Sequence, residues 1–321
     1  MPLRHVLMSS MKDEGPFALE FIAHHRVLGF DELHIASNDC SDGTDDLLDV
    51  LAGQGVITHL RNTVRPGDWP ARKAYRQIRK QHRTDEADWT MVLDVDEFLY
   101  VDTGAGRVGD LTSLAGRDVD IISLSALAFG TYDSEDWHPG RVTEQFTLRL
   151  PENSPCSGPV KSLSRGQGRW RELQNHHPAG FLGTGDIQVM RGNGEVMAVP
   201  DDERPWTHLR HFPAERVAHG LAWYNHYAIK SLASYLVRQQ RGRGGVPLGK
   251  EVPQRWDDRY WSRFAAANIT DHRITSRYGA EVGAEMARLL ALPGVARAQA
   301  AAEAGYAALI AAILASDELG G

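Results

Sequence analysis

The sequence predicts an α/β fold with a mostly parallel central sheet, flanking helices and a helical C-terminal extension. Three observations support this. Short apolar runs alternate with helical patterns over residues 1–127, the chain of 321 residues is 42% hydrophobic and can bury a large core, and helical patterns return near the C-terminus. Strand–helix alternation favours a parallel sheet covered on both faces. Ligands of such sheets bind at the carboxyl ends of the strands.

The individual elements follow from the spacing of the apolar residues. We expect strands at 5–10, 32–37, 56–60, 89–93 and 120–127. We expect helices at 17–28, 45–54, 71–83, 214–241, 279–292 and 296–315. The region 130–213 is less regular, with scattered Gly, Pro and Trp residues. The last two helices pack on their own domain or on a second copy, so a homodimer through them stays open.

Composition and charge exclude several classes of protein. The net charge is −7, with 35 basic and 42 acidic residues, so no nucleic-acid partner is expected. The two cysteines, Cys40 and Cys156, are far apart and in no metal-binding pattern, which favours reduced thiols and a cytoplasmic protein. We find no signal-peptide pattern and no run of about 18 apolar residues, so no transmembrane segment is expected.

Two aspartates follow the predicted strand at 89–93. In an extended chain, alternating side chains would direct Asp94 and Asp96 to the same side. Two neighbouring carboxylates repel each other unless a positive group lies between them, and a divalent cation satisfies both. The alternative is a solvated strand end with a helix-capping carboxylate. The three preceding strand–helix units favour the metal site.

Four segments of the sequence are informative in combination: MKDEGP at 11–16, EFIAHHRVLGF at 20–30, SNDCSDGT at 37–44 and LDVDEF at 93–98. Together they resemble the bacterial family-2-like glycosyltransferases. The resemblance covers about residues 4–245. It implies the Rossmann-like glycosyltransferase fold A, a nucleotide-diphosphate sugar as donor, a glycan or other hydroxyl as acceptor, and Mn²⁺ or Mg²⁺ as cofactor. We therefore expect a transferase domain at 1–245, divided into a nucleotide-sugar half (1–127) and an acceptor side (128–245), and an extension at 246–321.

The resemblance also implies roles for individual residues. Asp96 would ligate the metal, and Asp94 would contact the sugar or ribose and the metal. The segment 38–44 also suits an ordinary turn that caps the next helix. The residues that would contact the nucleotide sugar are Met11, Lys12, Glu14, Asn38, Asp39, Asp94 and Lys230.

A second segment, WYNHYAIKS at 223–231, is similar to the His-Tyr…Lys segment that closes the site in this fold. The similarity implies that His226 completes the metal shell and that Lys230 neutralises the leaving diphosphate. On a helix, this i, i+4 pair would share one face. The alternative is a helix with packed aromatics and a solvated lysine. The next candidates are His211 and then His176 for the metal, and Arg238 or Arg241 for the diphosphate.

An inverting transfer needs a general base for the acceptor hydroxyl. The candidates are Asp136, Asp133, Glu135 and Glu144. The family's Gly-Ser-x-Gly-His-like element is replaced here by SEDW before His138, which leaves the base and the acceptor open. Two other functions stay open as well. One is a nucleotide-binding module without turnover. The other is a nucleotidyl or phosphoryl transferase, which the absence of a GxxxxGK[ST] phosphate loop disfavours.

Overall fold

The computed structural model describes residues 3–131, 134–200, 209–242, 244–250 and 258–318. The helices in these ranges are α1 (Gly15–Val27), α2 (Thr44–Gly53), α3 (Pro70–His82), α4 (Val108–Leu114), α5 (Val142–Gln145), α6 (Leu232–Arg241), α7 (Asp258–Ala265), α8 (Arg273–Leu290) and α9 (Val295–Glu318). The strands are β1 (His5–Met11), β2 (Glu32–Ser37), β3 (Thr58–Arg61), β4 (Trp89–Val92), β5 (Glu97–Val101), β6 (Ile121–Ala128), β7 (Leu148–Arg149), β8 (Val160–Arg165), β9 (Trp170–Leu173), β10 (Pro178–Phe181), β11 (Ile187–Arg191), β12 (Val196–Val199), β13 (Ala222–His226) and β14 (Ile269–Thr270).

Ten strands form the central sheet. Its main path is β12-β11-β6-β8-β4-β1-β2-β3, and β13 joins β6 to β5. The pairs β1–β2, β1–β4, β2–β3, β6–β11 and β6–β13 are parallel. Strand β8 runs antiparallel between β4 and β6. The prediction of an α/β fold with a mostly parallel sheet, flanking helices and C-terminal helices is confirmed.

The strand order places a crevice beside β1. From β1 the chain builds β2 and β3 on one side and β4 on the other. Connections that leave neighbouring parallel strands in opposite directions open a crevice at the carboxyl ends, where ligands of such sheets bind. The segments that follow β1, β2 and β4 therefore border one site.

The C-terminal helices belong to the main hydrophobic core. Tyr278 and Val282 of α8 and Ala302 and Tyr306 of α9 are buried in the same apolar cluster as α1 and α2. The ring of Tyr306 meets that of Phe17 edge to face, 5.4 Å between centroids. By length and composition, Val295–Ser316 is long and apolar enough to cross a membrane. That is weak evidence, because helices in protein cores meet the same criterion.

Most predicted elements are confirmed with shifted ends, but the segment 214–241 is not one helix. Residues 222–226 form β13, between β5 and β6, and only Leu232–Arg241 is helical in the last part. Both faces of an interior strand are covered, so its side chains give no polar–apolar alternation. Trp223 and Tyr224 are both buried, which produced the wrong helix prediction. Strand β5 was not expected either.

Candidate functional site

A cavity of about 1520 Å³ opens at the carboxyl ends of β1, β2 and β4. It is larger than most pockets for a single small ligand, which measure about 300–1,000 Å³, so it has room for more than one small ligand. Helix α6, helix α7 and the loop 244–250 form the opposite wall. The predicted site residues that line it are Met11, Lys12, Glu14, Asn38, Asp39, Asp94, Asp96 and His226, together with His176, His211, Arg238 and Arg241.

The two aspartates lie in a turn between β4 and β5. The Glu97 amide donates to the Asp94 carbonyl at 3.0 Å, and the Asp94 amide donates to the Glu97 carboxylate at 2.8 Å. The chain is not extended through both aspartates as expected, because the strand ends at Val92, but both residues line the same cavity. Asp94 and Asp96 have different partners.

Asp94 is held by the sheet. Its Oδ2 is 3.1 Å from the Lys161 Nζ of β8 and accepts from Asn175 Nδ2 at 3.0 Å. The ammonium also lies 2.7 Å from Glu97 Oε2. Burial alone would raise the pKa of Asp94, but the Lys161 charge and the hydrogen bonds from Asn175 and Lys161 together hold that pKa below its usual value. Burial raises the pKa of Glu97 to about 8.

The sequence analysis missed Lys161, whose side chain is fully buried. The signal was a lone lysine in an apolar strand pattern. The Asp94 side chain remains 38% exposed, so one of its faces is open to the cavity.

Asp96 is held by the segment that follows β13. Arg238 of α6 pairs with Asp96 Oδ2 and also donates to the Ala228 carbonyl at 2.6 Å. His226 Nε2 lies 3.9 Å from the same carboxylate oxygen. Burial would raise the pKa of Asp96. The positive groups around it, led by Arg238, reverse that effect and hold the pKa well below its usual value.

A second buried ion pair lies beside Asp96. Arg241 pairs with Glu14 and donates to the Lys12 carbonyl at 2.8 Å. Arg241 therefore ties α6 to the loop that follows β1. Burial raises the pKa of Glu14, against the charges of Arg241 and Lys230.

Lys230 lies behind this pair, and the described cavity wall does not include it. Its Nζ is 4.5 Å from the centroid of the Phe17 ring, and burial lowers its pKa. The prediction that His226 and Lys230 share a helical face is wrong. His226 ends a strand, and Lys230 has a left-handed φ of 49° just before Ser231, the N-cap of α6.

Three side chains, that of Asp96 and two beside it, could together bind a divalent cation. The ligand atoms of Asp96, Glu97 and His226 lie within 4.8 Å of one another. Carboxylate oxygens suit Mg²⁺ or Mn²⁺, and an imidazole nitrogen is accepted more readily by Mn²⁺. Asp94 is outside this group.

The three candidate histidines lie at different places in the cavity. His226 is the one beside Asp96. The His176 Nδ1 bonds the Val160 carbonyl at 2.9 Å, and burial lowers the pKa of His176 to about 3. The His211 ring packs against Gly158.

Asn38 organises the carboxyl ends of the strands. Its Nδ2 donates to Ser10 Oγ at 2.9 Å and to the Met11 carbonyl at 2.8 Å, and its Oδ1 accepts from Asn62 at 2.7 Å. Asp39 is exposed at the rim and accepts from the Val64 amide at 2.9 Å. Of these two predicted contacts for the nucleotide, Asp39 has the accessible side chain.

The acidic loop predicted to supply a general base supports α6. The carbonyls of Ser134 and Glu135 accept the amides of Leu232 and Ala233, each at 2.9 Å. Glu135 and Asp136 are exposed and are not among the described residues of the cavity wall. Asp133 lies outside the described residues, and Glu144 pairs with Arg141.

No protein-family model and no curated protein matches the chain. Among solved structures, a mycobacterial protein is similar over 44% of this chain and 44% of its own length, at 19% identity and a TM-score of 0.25. The galactosyltransferase LgtC in complex with donor and acceptor sugar analogues is similar over 85% of this chain and 99% of its own, at 10% identity and a TM-score of 0.32. An active-site mutant of LgtC is similar over 85% of this chain and 99% of its own, at 11% identity and a TM-score of 0.31. TM-scores this low carry no argument about function, which rests on the site itself.

Proposed function

We propose that the chain is a metal-dependent glycosyltransferase that moves a sugar from a nucleotide-diphosphate sugar to an acceptor hydroxyl. One observation carries the proposal. At the crevice beside β1, the potential metal ligands Asp96, Glu97 and His226 share a cavity wall with the guanidinium groups of Arg238 and Arg241. That combination suits a metal-bound diphosphate.

The charges explain why both kinds of group are needed. Breaking the bond between the sugar and the diphosphate places negative charge on the leaving oxygen, and fixed positive groups stabilise that charge most in the transition state. A divalent cation at Asp96 would supply Lewis acidity there. Arg238 now pairs with Asp96. A cation that binds Asp96 would leave Arg238 without its carboxylate, and a diphosphate anion that binds Arg238 would balance that charge.

The segments that follow β1 and β2 suit the nucleotide. Met11 and Lys12 line the cavity beside Asp39, and Trp69, 41% exposed, forms part of the same wall. We propose that Asp39 contacts the base or ribose and that Asp94, open to the cavity, contacts the ribose or the sugar. Inversion at the anomeric carbon, with a base from the loop at 133–136, and a cytoplasmic location remain part of the proposal.

Calorimetry with nucleotide diphosphates tests the proposal. UDP and GDP are titrated into the wild type, Asp96→Asn and the control Asp118→Asn, an exposed aspartate outside the described cavity wall, with Mn²⁺, with Mg²⁺ and with EDTA. We expect a metal to tighten binding of at least one diphosphate about 10- to 100-fold in the wild type and the control, since loss of a ligand costs a factor of that size. Asp96→Asn should lose the gain.

Transfer is then measured with the matching nucleotide sugars, by release of the diphosphate. Equal affinity with and without metal in the wild type would contradict the metal site. Metal-dependent binding without release of diphosphate from any nucleotide sugar would instead support the non-catalytic nucleotide-binding module.

A further inference from the structure

The acidic residues of the described cavity wall are confined to the first part of the chain. They are Glu14, Asp39, Asp94, Asp96 and Glu97, and the wall there also contains Lys12 and Arg72. Beyond residue 97, the described wall has no Asp or Glu but contains Arg210, Arg238, Arg241, Lys250 and Arg263. The part of the described wall that comes after residue 97 is therefore cationic, in a chain whose net charge is −7.

Two of these cations differ from the pair on α6. Arg238 and Arg241 each pair with a carboxylate. Within the ranges that the structure describes, Arg210 and Arg263 have no hydrogen-bond or ion-pair partner for their guanidinium groups. Both side chains are on exposed residues at the cavity, where they can bind a ligand without losing an existing partner.

Neighbouring contacts fix the place of Arg210. Its carbonyl accepts the Val160 amide at 3.1 Å, directly before Lys161, which holds Asp94. The positive charge of Arg210 contributes to the lowered pKa of both His176 and His177. Arg210 thus lies on the Asp94 side of the cavity.

Arg263 lies on the other side, on α7. The next residue, Phe264, meets the His226 ring edge to face, 6.2 Å between centroids. Gly130 leaves room for this helix, because a Cβ there would overlap the Phe264 carbonyl and the Ala267 side chain. Arg210 and Arg263 therefore line the same cavity as Asp94, Asp96 and His226, the cavity that an acceptor must enter to reach the sugar.

Resting on the glycosyl transfer proposed above, we propose that the acceptor carries a carboxylate or phosphate group that Arg210 and Arg263 bind. Two exposed guanidinium groups on the wall of one cavity give it a positive potential that attracts an anion. Arginine binds both anions through paired N–H donors. In the proposed reaction, Arg238 and Arg241 of α6 bind the diphosphate of the donor. Arg210 and Arg263 then recognise the other substrate, the acceptor.

Calorimetry with small charged sugars tests this site. Glucose, glucuronate and glucose 6-phosphate are titrated into the protein with the donor site saturated by UDP or GDP and Mn²⁺, and again without nucleotide. The variants are Arg210→Gln, Arg263→Gln and the double variant. Arg297→Gln, an exposed arginine of α9 outside the described cavity wall, is the matched control.

We expect glucuronate or glucose 6-phosphate to bind at least tenfold more tightly than glucose, because hydrogen bonds between a guanidinium group and an anion are stronger than those to a neutral hydroxyl. The preferred sugar shows whether the group is a carboxylate or a phosphate. Each single variant should lose most of that preference, the double variant all of it, and the control none.

Equal binding of the three sugars, or a preference that survives in the double variant, would overturn the proposal. The nucleotide titrations are separate, so the two proposals fail separately. If nucleotide diphosphates bind and the sugars show no charge preference, only the anionic acceptor is wrong. If the charge preference is present without any nucleotide binding, the glycosyl transfer is wrong and the anion site stands.

Discussion

Asp94 and Asp96 are two residues apart, yet their charges are balanced by different parts of the molecule. Asp94 is held by Lys161, on β8 of the central sheet, and by Asn175, between β9 and β10. Asp96 is held by Arg238, with His226 nearby, both in the segment 222–241. The turn between β4 and β5 directs the two side chains to these separate partners.

Because their partners differ, the two carboxylates have different roles in the structure. Lys161 is fully buried and also holds Glu97, so the Asp94 side is a fixed part of the core. The partners of Asp96 come from β13 and α6, which form a wall of the cavity. Under the proposed function, Asp96 would couple the metal to the wall formed by β13 and α6. The predictions below test this division, from the largest expected effect to the smallest.

The largest expected difference is between Asp96→Asn and Asp94→Asn, in the affinity for a nucleotide diphosphate and in the free energy of unfolding. We expect Asp96→Asn to abolish the gain of about 10- to 100-fold that a metal gives to the binding of a nucleotide diphosphate, because a metal ligand is lost. It should also lower the free energy of unfolding by about 3 kcal/mol, since Arg238 loses its buried carboxylate. Asp94→Asn should cost less in both measurements. Calorimetry measures the affinities of the two variants, and urea unfolding measures their stabilities. Equal losses of affinity and stability in both variants would contradict the different roles of Asp94 and Asp96.

Lys161→Met should mainly affect stability. It leaves the buried carboxylate of Glu97 without its cation, and we expect a loss of about 3–5 kcal/mol in urea unfolding. The double variant Lys161→Met, Glu97→Gln removes both charges and should recover part of that loss, because residues in contact couple by about 0.5–3 kcal/mol. Strictly additive losses would show that the 2.7 Å contact contributes no coupling.

Arg241→Met should lower turnover more than Lys230→Met. Arg241 lines the cavity, whereas Lys230 lies behind it over the Phe17 ring. Loss of one electrostatic donor to the leaving oxygen costs about 10²- to 10³-fold in kcat, and we expect that loss for Arg241→Met with little change in KM. A larger loss for Lys230→Met would restore the role that the sequence assigned to Lys230.

Local patterns predicted the first half of the fold better than the site. The units from β1 to α3 follow from apolar spacing and turn residues within short windows, so the sequence alone identifies them. The partners of the two aspartates are far away in the chain. Lys161 is 67 residues from Asp94, and Arg238 is 142 residues from Asp96. Such pairs depend on the order of strands in the sheet, which no local pattern encodes.

Gly305 provides the smallest and most selective test. A Cβ at this position would overlap the backbone carbonyl of Asp42, and the Asp42 carboxylate accepts the Gly15 amide at 2.9 Å. Gly15 follows Glu14, the partner of Arg241. Gly305→Ala therefore presses on the support of the Asp96 side and leaves the Asp94 side untouched.

We expect Gly305→Ala to lower the free energy of unfolding by about 1–3 kcal/mol, the usual cost of overpacking. The control is Gly279→Ala in α8, where the nearest atom to the new Cβ is 3.7 Å away. It should instead stabilise the protein by about 0.5–1 kcal/mol, because alanine is the better helix former. If Gly305→Ala stabilises the protein like its control, α9 does not press on the Asp42 loop, and the C-terminal helix has no part in supporting the Asp96 side.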